Sequence, residues 1–332
     1  MKVVDFPVAE SVESYPQAPS LPQFEPSALG QHRADAHYLV MDEGQAVAHA
    51  SLWWKDVPTR ENECLGVIGH FAAASVESAA LLLPWILNQL AEQGCTLAVG
   101  PMDGNTWRRY RLVTCTGSEP PFFMEPENPP AYPQYFLEAG FAPMSEYSSA
   151  LVTELAAQDA RIPRAIGRFK ASGVNWRPLD TDRFEDEFRA IYRLSANSFS
   201  QNFLYTPISE AEFLEQYMII APYLKPELTL MAEHDGELLG YLFGIPDFNQ
   251  ARRGEAVDTF VVKTVAVLPG RRSAGLGSML VAESHRIARE QGYRRAIHAL
   301  MHESNKSRNI SAHYSSTMRR YTLFQKRLGP GV

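Results

Sequence analysis

The sequence predicts two consecutive mixed α/β units, and three observations carry that prediction. The chain has 332 residues, enough for two domains of roughly 150 residues each. Its side chains are 45% hydrophobic and 21% charged, which fits a globular protein rather than a disordered one. A rhythm of hairpin, long strand, helix ending in glycine, strand, short helix and strand occurs twice, as an internal duplication would give. The segments Gln89-Leu-Ala-Glu-Gln-Gly-Cys-Thr and Arg286-Ile-Ala-Arg-Glu-Gln-Gly-Tyr hold the same place in each copy.

In the first unit, alternation predicts strands over 37–41 and 46–54 around Asp42-Glu-Gly-Gln, and a third over 65–71. Helical periodicity over 76–93 stops at Gly94, a C-cap signal, and 95–99 reads as the next strand. The proline- and aromatic-rich run 120–133 reads as an ordered loop, followed by a short helix over 133–139 and one or two strands over 141–155. The cluster Trp107-Arg-Arg-Tyr-Arg111 reads as a solvated face. Residues 156–173 read as a small, polar connector between a first unit over 1–155 and a second over 174–332.

The second unit opens with a strand over 174–179 and an amphipathic helix capped by Thr181 or Asp182 and running to about Ala196. An aromatic loop over 197–207 precedes a helix over 210–221. A hairpin over 228–245 turns at His234-Asp-Gly. A β-branched strand follows over 257–268, then a helix over 275–291, a strand over 294–301, a short helix over 309–314 and a last strand over 320–326.

The net charge of −7 argues against a general nucleic-acid binder. It conceals an asymmetry, since residues 250–332 hold 15 Lys or Arg against 5 Asp or Glu. A basic C-terminal third fits either a focused anion site or a solvated basic surface. No apolar run is long enough for a membrane helix, Met1-Lys-Val-Val-Asp does not read as a signal peptide, and three cysteines show no metal-ligand spacing. The composition therefore predicts a cytoplasmic protein with no structural metal, no membrane partner and no nucleic-acid partner.

Chemistry concentrates in Val261-Val-Lys-Thr-Val-Ala-Val-Leu-Pro-Gly-Arg-Arg-Ser-Ala-Gly-Leu-Gly-Ser-Met-Leu280. A strand enters a loop of small and basic residues, and a helix leaves from its glycines. Unpaired N–H groups and the helix dipole at such a terminus hold phosphate. A Walker loop would need Gly-Lys-Ser/Thr, which is missing. A dinucleotide fingerprint would need glycine at 280, where Leu280 stands.

The spacing Arg272-x-x-Gly275-x-Gly277 after Val-Ala-Val-x-Pro resembles the coenzyme A pyrophosphate loop of the GNAT N-acetyltransferase superfamily, over about 174–328. The resemblance implies tandem GNAT-like acyl-CoA N-acyltransferase domains, the first a degenerate copy, and acetyl-CoA as cofactor. By it, the strand residues Val265, Ala266 and Val267 would meet the pantetheine arm. The amides of Arg272, Ser273, Ala274, Gly275, Leu276, Gly277 and Ser278 would hold the pyrophosphate, and Asn305 would lie beside the pantetheine. It also implies acetyl transfer to the amine of a small-molecule or peptide acceptor, with an aminoacyl or other acyl transferase, or a catalytically silent coenzyme A-binding sensor, as the alternatives; the acceptor, acyl length and oligomeric state stay open.

The sequence departs from the family pattern where a strand Glu often serves as base, because Lys263 and Thr264 stand there. Candidate bases are Asp258 lower on that strand, or His302 and Glu303 at the end of the next, which are otherwise a surface pair. Tyr314 is the candidate acid for the leaving thiolate, or else a packing residue. The first unit's matching segment, 71–80, has neither glycine nor arginine, so one coenzyme A is expected per chain.

Overall fold

The computed structural model describes residues 1–8, 15–156, 159–304 and 315–329. Strand β1 (Lys2–Phe6) and helix α1 (Ser27–Gln31), neither of them expected, precede the antiparallel strands β2 (Ala36–Asp42), β3 (Gln45–Trp53) and β4 (Leu65–Ala73). Helix α2 (Val76–Glu92) starts at Ser75, whose hydroxyl accepts the Ser78 N–H. Its Leu82, Leu83, Ile86, Leu87 and Leu90 are buried, as their spacing requires. Strand β5 (Leu97–Gly100) returns parallel to β4. Strand β6 (Leu112–Cys115), helix α3 (Tyr132–Glu138) and strand β7 (Ala142–Val152) complete the first half.

The small, polar connector expected over 156–173 is corrected by the structure. Among its described residues it holds helix α4 (Ile162–Ala171), with a proline in the first turn, basic residues in the last, and Phe169 buried. Strand β8 (Asn175–Pro178) follows, and the cap of the next helical segment is Asp180, which accepts the Asp182 N–H at 3.0 Å. Helices α5 (Phe184–Ser198) and α6 (Glu210–Met218) lead to strands β9 (Leu230–His234) and β10 (Glu237–Pro246). Helix α7 (Phe248–Arg252), strand β11 (Thr259–Val267), helix α8 (Leu276–Glu290) and strands β12 (Arg295–His302) and β13 (Ser316–Arg327) end the described elements.

One sheet holds all thirteen strands, in the order β1-β2-β3-β4-β5-β13-β7-β12-β11-β10-β9-β8, with β6 pairing β13. Among the described strands only β4–β5 and β11–β12 run parallel, so the duplication predicted from rhythm is repeated in topology. The last strand of each half lies in the other. β13 pairs β5 of the first half, and β7 pairs β12 of the second. The division at 156–173 is thus a division of sequence, and in space the two units share their closing strands.

The proline-rich loop secures the shared seam. Phe122 and Phe123 are buried, and the Phe123 N–H donates to Asp247 at 2.8 Å. Glu125 forms a fully buried ion pair with Arg319 of β13 at 2.8 Å and accepts the Tyr321 hydroxyl.

Candidate functional site

Strand β11 pairs with β12 only from Thr259–Arg295 to Val262–His298, after which the two diverge. On its other side β11 stays on β10 through Val267, and the Leu268 N–H donates to the Leu239 carbonyl at 2.8 Å. Antiparallel pairs alternate, so Ala266 turns its main chain to β10 while Val265 and Val267 turn theirs into the divergence. Ala266, expected among the cofactor contacts, is corrected by this register and is buried against the α5–α6 side. The Val267 carbonyl already accepts the Ser198 hydroxyl at 2.5 Å, which anchors α5 to the cleft edge.

The loop after β11 ends at Gly275, the N-cap of α8, in a left-handed conformation (φ +86°) that glycine adopts without strain. Gly277 and Ser278 lie in the first helical turn, where N–H groups have no partner one turn back. The Leu276 N–H donates to the Ser273 carbonyl at 2.9 Å and the Ala274 N–H to Arg271 at 3.4 Å, so those two expected contacts are engaged within the loop. Ser273 is buried, and its hydroxyl donates to the Leu268 carbonyl. Arg271 and Arg272 are exposed, and no carboxylate occurs from Leu268 to Ser278. A third cation was missed by the sequence reading: Arg168 of α4 donates to the Ala274 carbonyl. Free amides, a helix terminus and arginines fit a pyrophosphate.

Below the divergence lies a cavity of about 570 Å³. Its walls come from both halves and include Trp107, Arg111 and Tyr147 from the first and Phe203, Lys263 and His302 from the second. The reading of Trp107–Arg111 as a solvated face is therefore corrected. Trp107 packs edge-on to Phe213 and donates to the Thr206 carbonyl at 2.8 Å, while Arg108 pairs with Glu212 at 2.5 Å.

His302 ends β12 at the cavity wall, against the Tyr147 ring. Its Nδ1 accepts the Ser304 N–H at 3.1 Å, which assigns the proton to Nε2, 2.6 Å from the Ser145 hydroxyl. Desolvation, helped by Arg111, holds its pKa below the ordinary histidine value, with Glu303 opposing. Glu303 itself is exposed and does not line the cavity. The structure therefore separates the two candidate bases. Lys263 sits where β11 carries one extra residue against β10, between the partners of Phe243 and Gly244. Its ammonium donates to the Met124 carbonyl at 3.2 Å, and desolvation pulls its pKa down to about 8, with Arg111 acting in the same direction. Asn305 and Tyr314 lie outside the described residues.

In the first half, the corresponding place between β4 and β5 is closed by the described residues. Strands β4 and β5 pair only from Leu65–Leu97 to Val67–Val99, but the chain itself then fills the gap. The Met102 N–H donates to Ile68 at 2.7 Å, and the His70 N–H to Asp103 at 2.6 Å. A Cβ on Gly69 would stand 2.2 Å from the Met102 carbonyl oxygen. Behind this plug, Ser51 bridges His37 and His70 at 2.8 Å each, and His70 reaches His32 at 2.7 Å. Among the described residues, no group of His, Cys, Asp or Glu could hold a metal ion.

A strand pair opening beside a glycine-rich helix terminus defines the acyl-CoA N-acyltransferase fold class. Residues 188–312 match the model of the acetyltransferase (GNAT) family. The chain has a tandem GNAT-like fold, and the family match lies within its second half.

Among curated proteins, a bacterial ceramide synthase from Caulobacter vibrioides is 25% identical over 188 residues, which is 55% of this chain and 49% of that protein. The match thus spans about half the length of that relative. Among solved structures, a probable N-acyltransferase from Enterococcus faecalis aligns over 92% of this chain and 65% of its own, with TM-score 0.53 and 9% identity. The glucosamine N-acetyltransferase region of a fungal multi-domain β-N-acetylglucosaminidase aligns over 91% of this chain and 34% of its own, with TM-score 0.53 and 13% identity. Both show likeness of fold. Among the described residues, no helix is long and apolar enough to cross a membrane.

Proposed function

We propose that the chain transfers an acyl group, acetyl in the simplest case, from coenzyme A to an amine of a small-molecule or peptide acceptor. The observation that carries this reading is the parting of β11 from β12. It leaves Val265 lining the cavity, on the strand that leads through Val267 to the N-terminus of α8. The second unit would hold the cofactor. The first, through Trp107–Arg111 and Tyr147, would close the acceptor side. A larger acyl group is the second reading, favoured by the aromatic lining from Trp107, Phe199, Phe203 and Tyr205.

Acetyl-CoA would supply the activated thioester, and the chain must orient the acceptor and accept a proton from its ammonium. Lys263 suits that task. Neutral above about pH 8, it keeps an N–H for Met124 and offers a lone pair to the cavity. His302 is less free, because its basic Nδ1 is occupied by Ser304. Tyr314 keeps its proposed role as the donor to the departing thiolate.

Thiol release from acetyl-CoA, followed across an amine panel, tests the reading. We expect turnover whose kcat/KM rises as pH passes about 8, and a flattened rise in Lys263→Met. Coenzyme A binding with no turnover for any amine or acyl length would instead describe a sensor.

A further inference from the structure

Arg111 is a charged side chain of the cavity wall whose chemistry the proposed transfer does not use. It is only 6% exposed, yet its Nε and Nη1 are buried with no hydrogen-bond partner. Its guanidinium lies between the rings of Tyr110 and Tyr147, 4.0 and 4.1 Å from their centroids. The rings steady the cation but leave the in-plane N–H donors unsatisfied. The carboxylates packed nearby serve other cations, Glu125 held by Arg319 and Glu212 by Arg108. Below about pH 8, Lys263 adds a second positive group to the same cavity. The Arg111 backbone is also in the left-handed region (φ +68°), unfavourable for a side chain of this size and fixed by its N–H bond to the Pro101 carbonyl.

A buried charge without a counter-charge is unfavourable in the free protein. Arg111 lines the cavity, and a planar guanidinium is the side chain whose N–H donors suit the oxygens of a carboxylate or phosphate. We propose that Arg111 binds an anionic group on the acceptor, so that the substrates are amines that also carry a carboxylate or phosphate. Resting on the transfer reading above, this makes the first half the part of the molecule that selects the acceptor. The anion anchors at Arg111 and the amine reaches toward the divergence of β11 and β12.

The test pairs amines that differ only in the anion: L-phenylalanine with 2-phenylethylamine, and O-phosphoethanolamine with ethanolamine. Binding to the coenzyme A-loaded protein is read by calorimetry, and transfer by thiol release. The expected result is preference for an anionic member by ~100-fold, lost in Arg111→Gln with coenzyme A affinity unchanged. Arg111→Lys should keep part of the preference. The phenylalanine and phosphoethanolamine arms separate a carboxylate acceptor from a phosphate one. Equal binding of charged and neutral members by the wild-type protein, or binding of neither anion, overturns the proposal whether or not the variants fold. Efficient transfer to the neutral amines would do so while leaving the transferase reading standing. Bound anionic amines with no thiol release would keep the anion site and remove the transferase reading.

Discussion

Replacing Gly275 by Glu is a sharp probe of the loop before α8. The residue is exposed and its φ is +86°, so any side chain there loses about 1 kcal/mol of stability from the left-handed backbone. Space is not the obstacle, since an added Cβ would first meet the Arg168 guanidinium, at 3.4 Å. Charge is. A carboxylate about 4 Å from one phosphate charge is worth about 4 kcal/mol at an effective dielectric constant near 20. Solvent at this exposed position reduces that to about 2 kcal/mol, or ~30-fold in affinity. Gly275→Gln has the same bulk and backbone penalty, so comparing Glu with Gln isolates the charge. Calorimetric titration with coenzyme A at low and moderate salt should show the ~30-fold gap narrowing as salt rises. Equal affinities for the two variants would refute the placement of a pyrophosphate at this helix terminus.

Two further outcomes follow. Titration of the wild-type protein should give one coenzyme A per chain, because Met102 and Asp103 fill the first half's opening; a stoichiometry near two would contradict that reading. Acid should also weaken the fold before it reaches the carboxylate range. Burial lowers His49 and His285 to about 4 and His298 to about 3, so each is neutral when folded and takes up protons near pH 6.5 when unfolded. Their stability contribution is complete above pH 6.5 and is lost as pH falls toward 4, about 3 kcal/mol for each of His49 and His285. Asp103, raised to about 6 by burial, works in the opposite direction and offsets part of this. Urea midpoints should drop steadily between pH 7 and 5, and a flat profile would contradict the burial of these rings.

What the sequence disclosed was local. Hairpins at Asp42–Gln45 and His234–Gly236, the helix stop at Gly94 and the strand–loop–helix around Gly275 all depend on neighbours a few residues apart. Helix α4 was hidden by Pro163 and its small residues, although proline in a first turn is itself a start signal. The exchange of β7 and β13 leaves no local trace, because either strand would alternate in the same way beside any partner. Arg111 was misread for a related reason. An arginine between aromatic residues looks solvated until distant structure covers it, and here that cover comes from Tyr147 and Tyr321. The aromatic loop after α5, with Phe203 and Tyr205, faces the cavity for the same non-local reason.

The crossed closing strands make the molecule the covalent counterpart of a domain-swapped pair. An ancestor with a single unit could have reached the same sheet as two identical chains lending each other a strand, and fusion would then have freed the two copies to diverge. On the ribosome, β5 cannot gain its second neighbour until residues 316–327 have been synthesised, so the first half waits with an open edge for the last-made strand. Separating the chain at 156–173 would leave each fragment with a strand belonging to the other. The fragments should therefore work only as a reassembled pair.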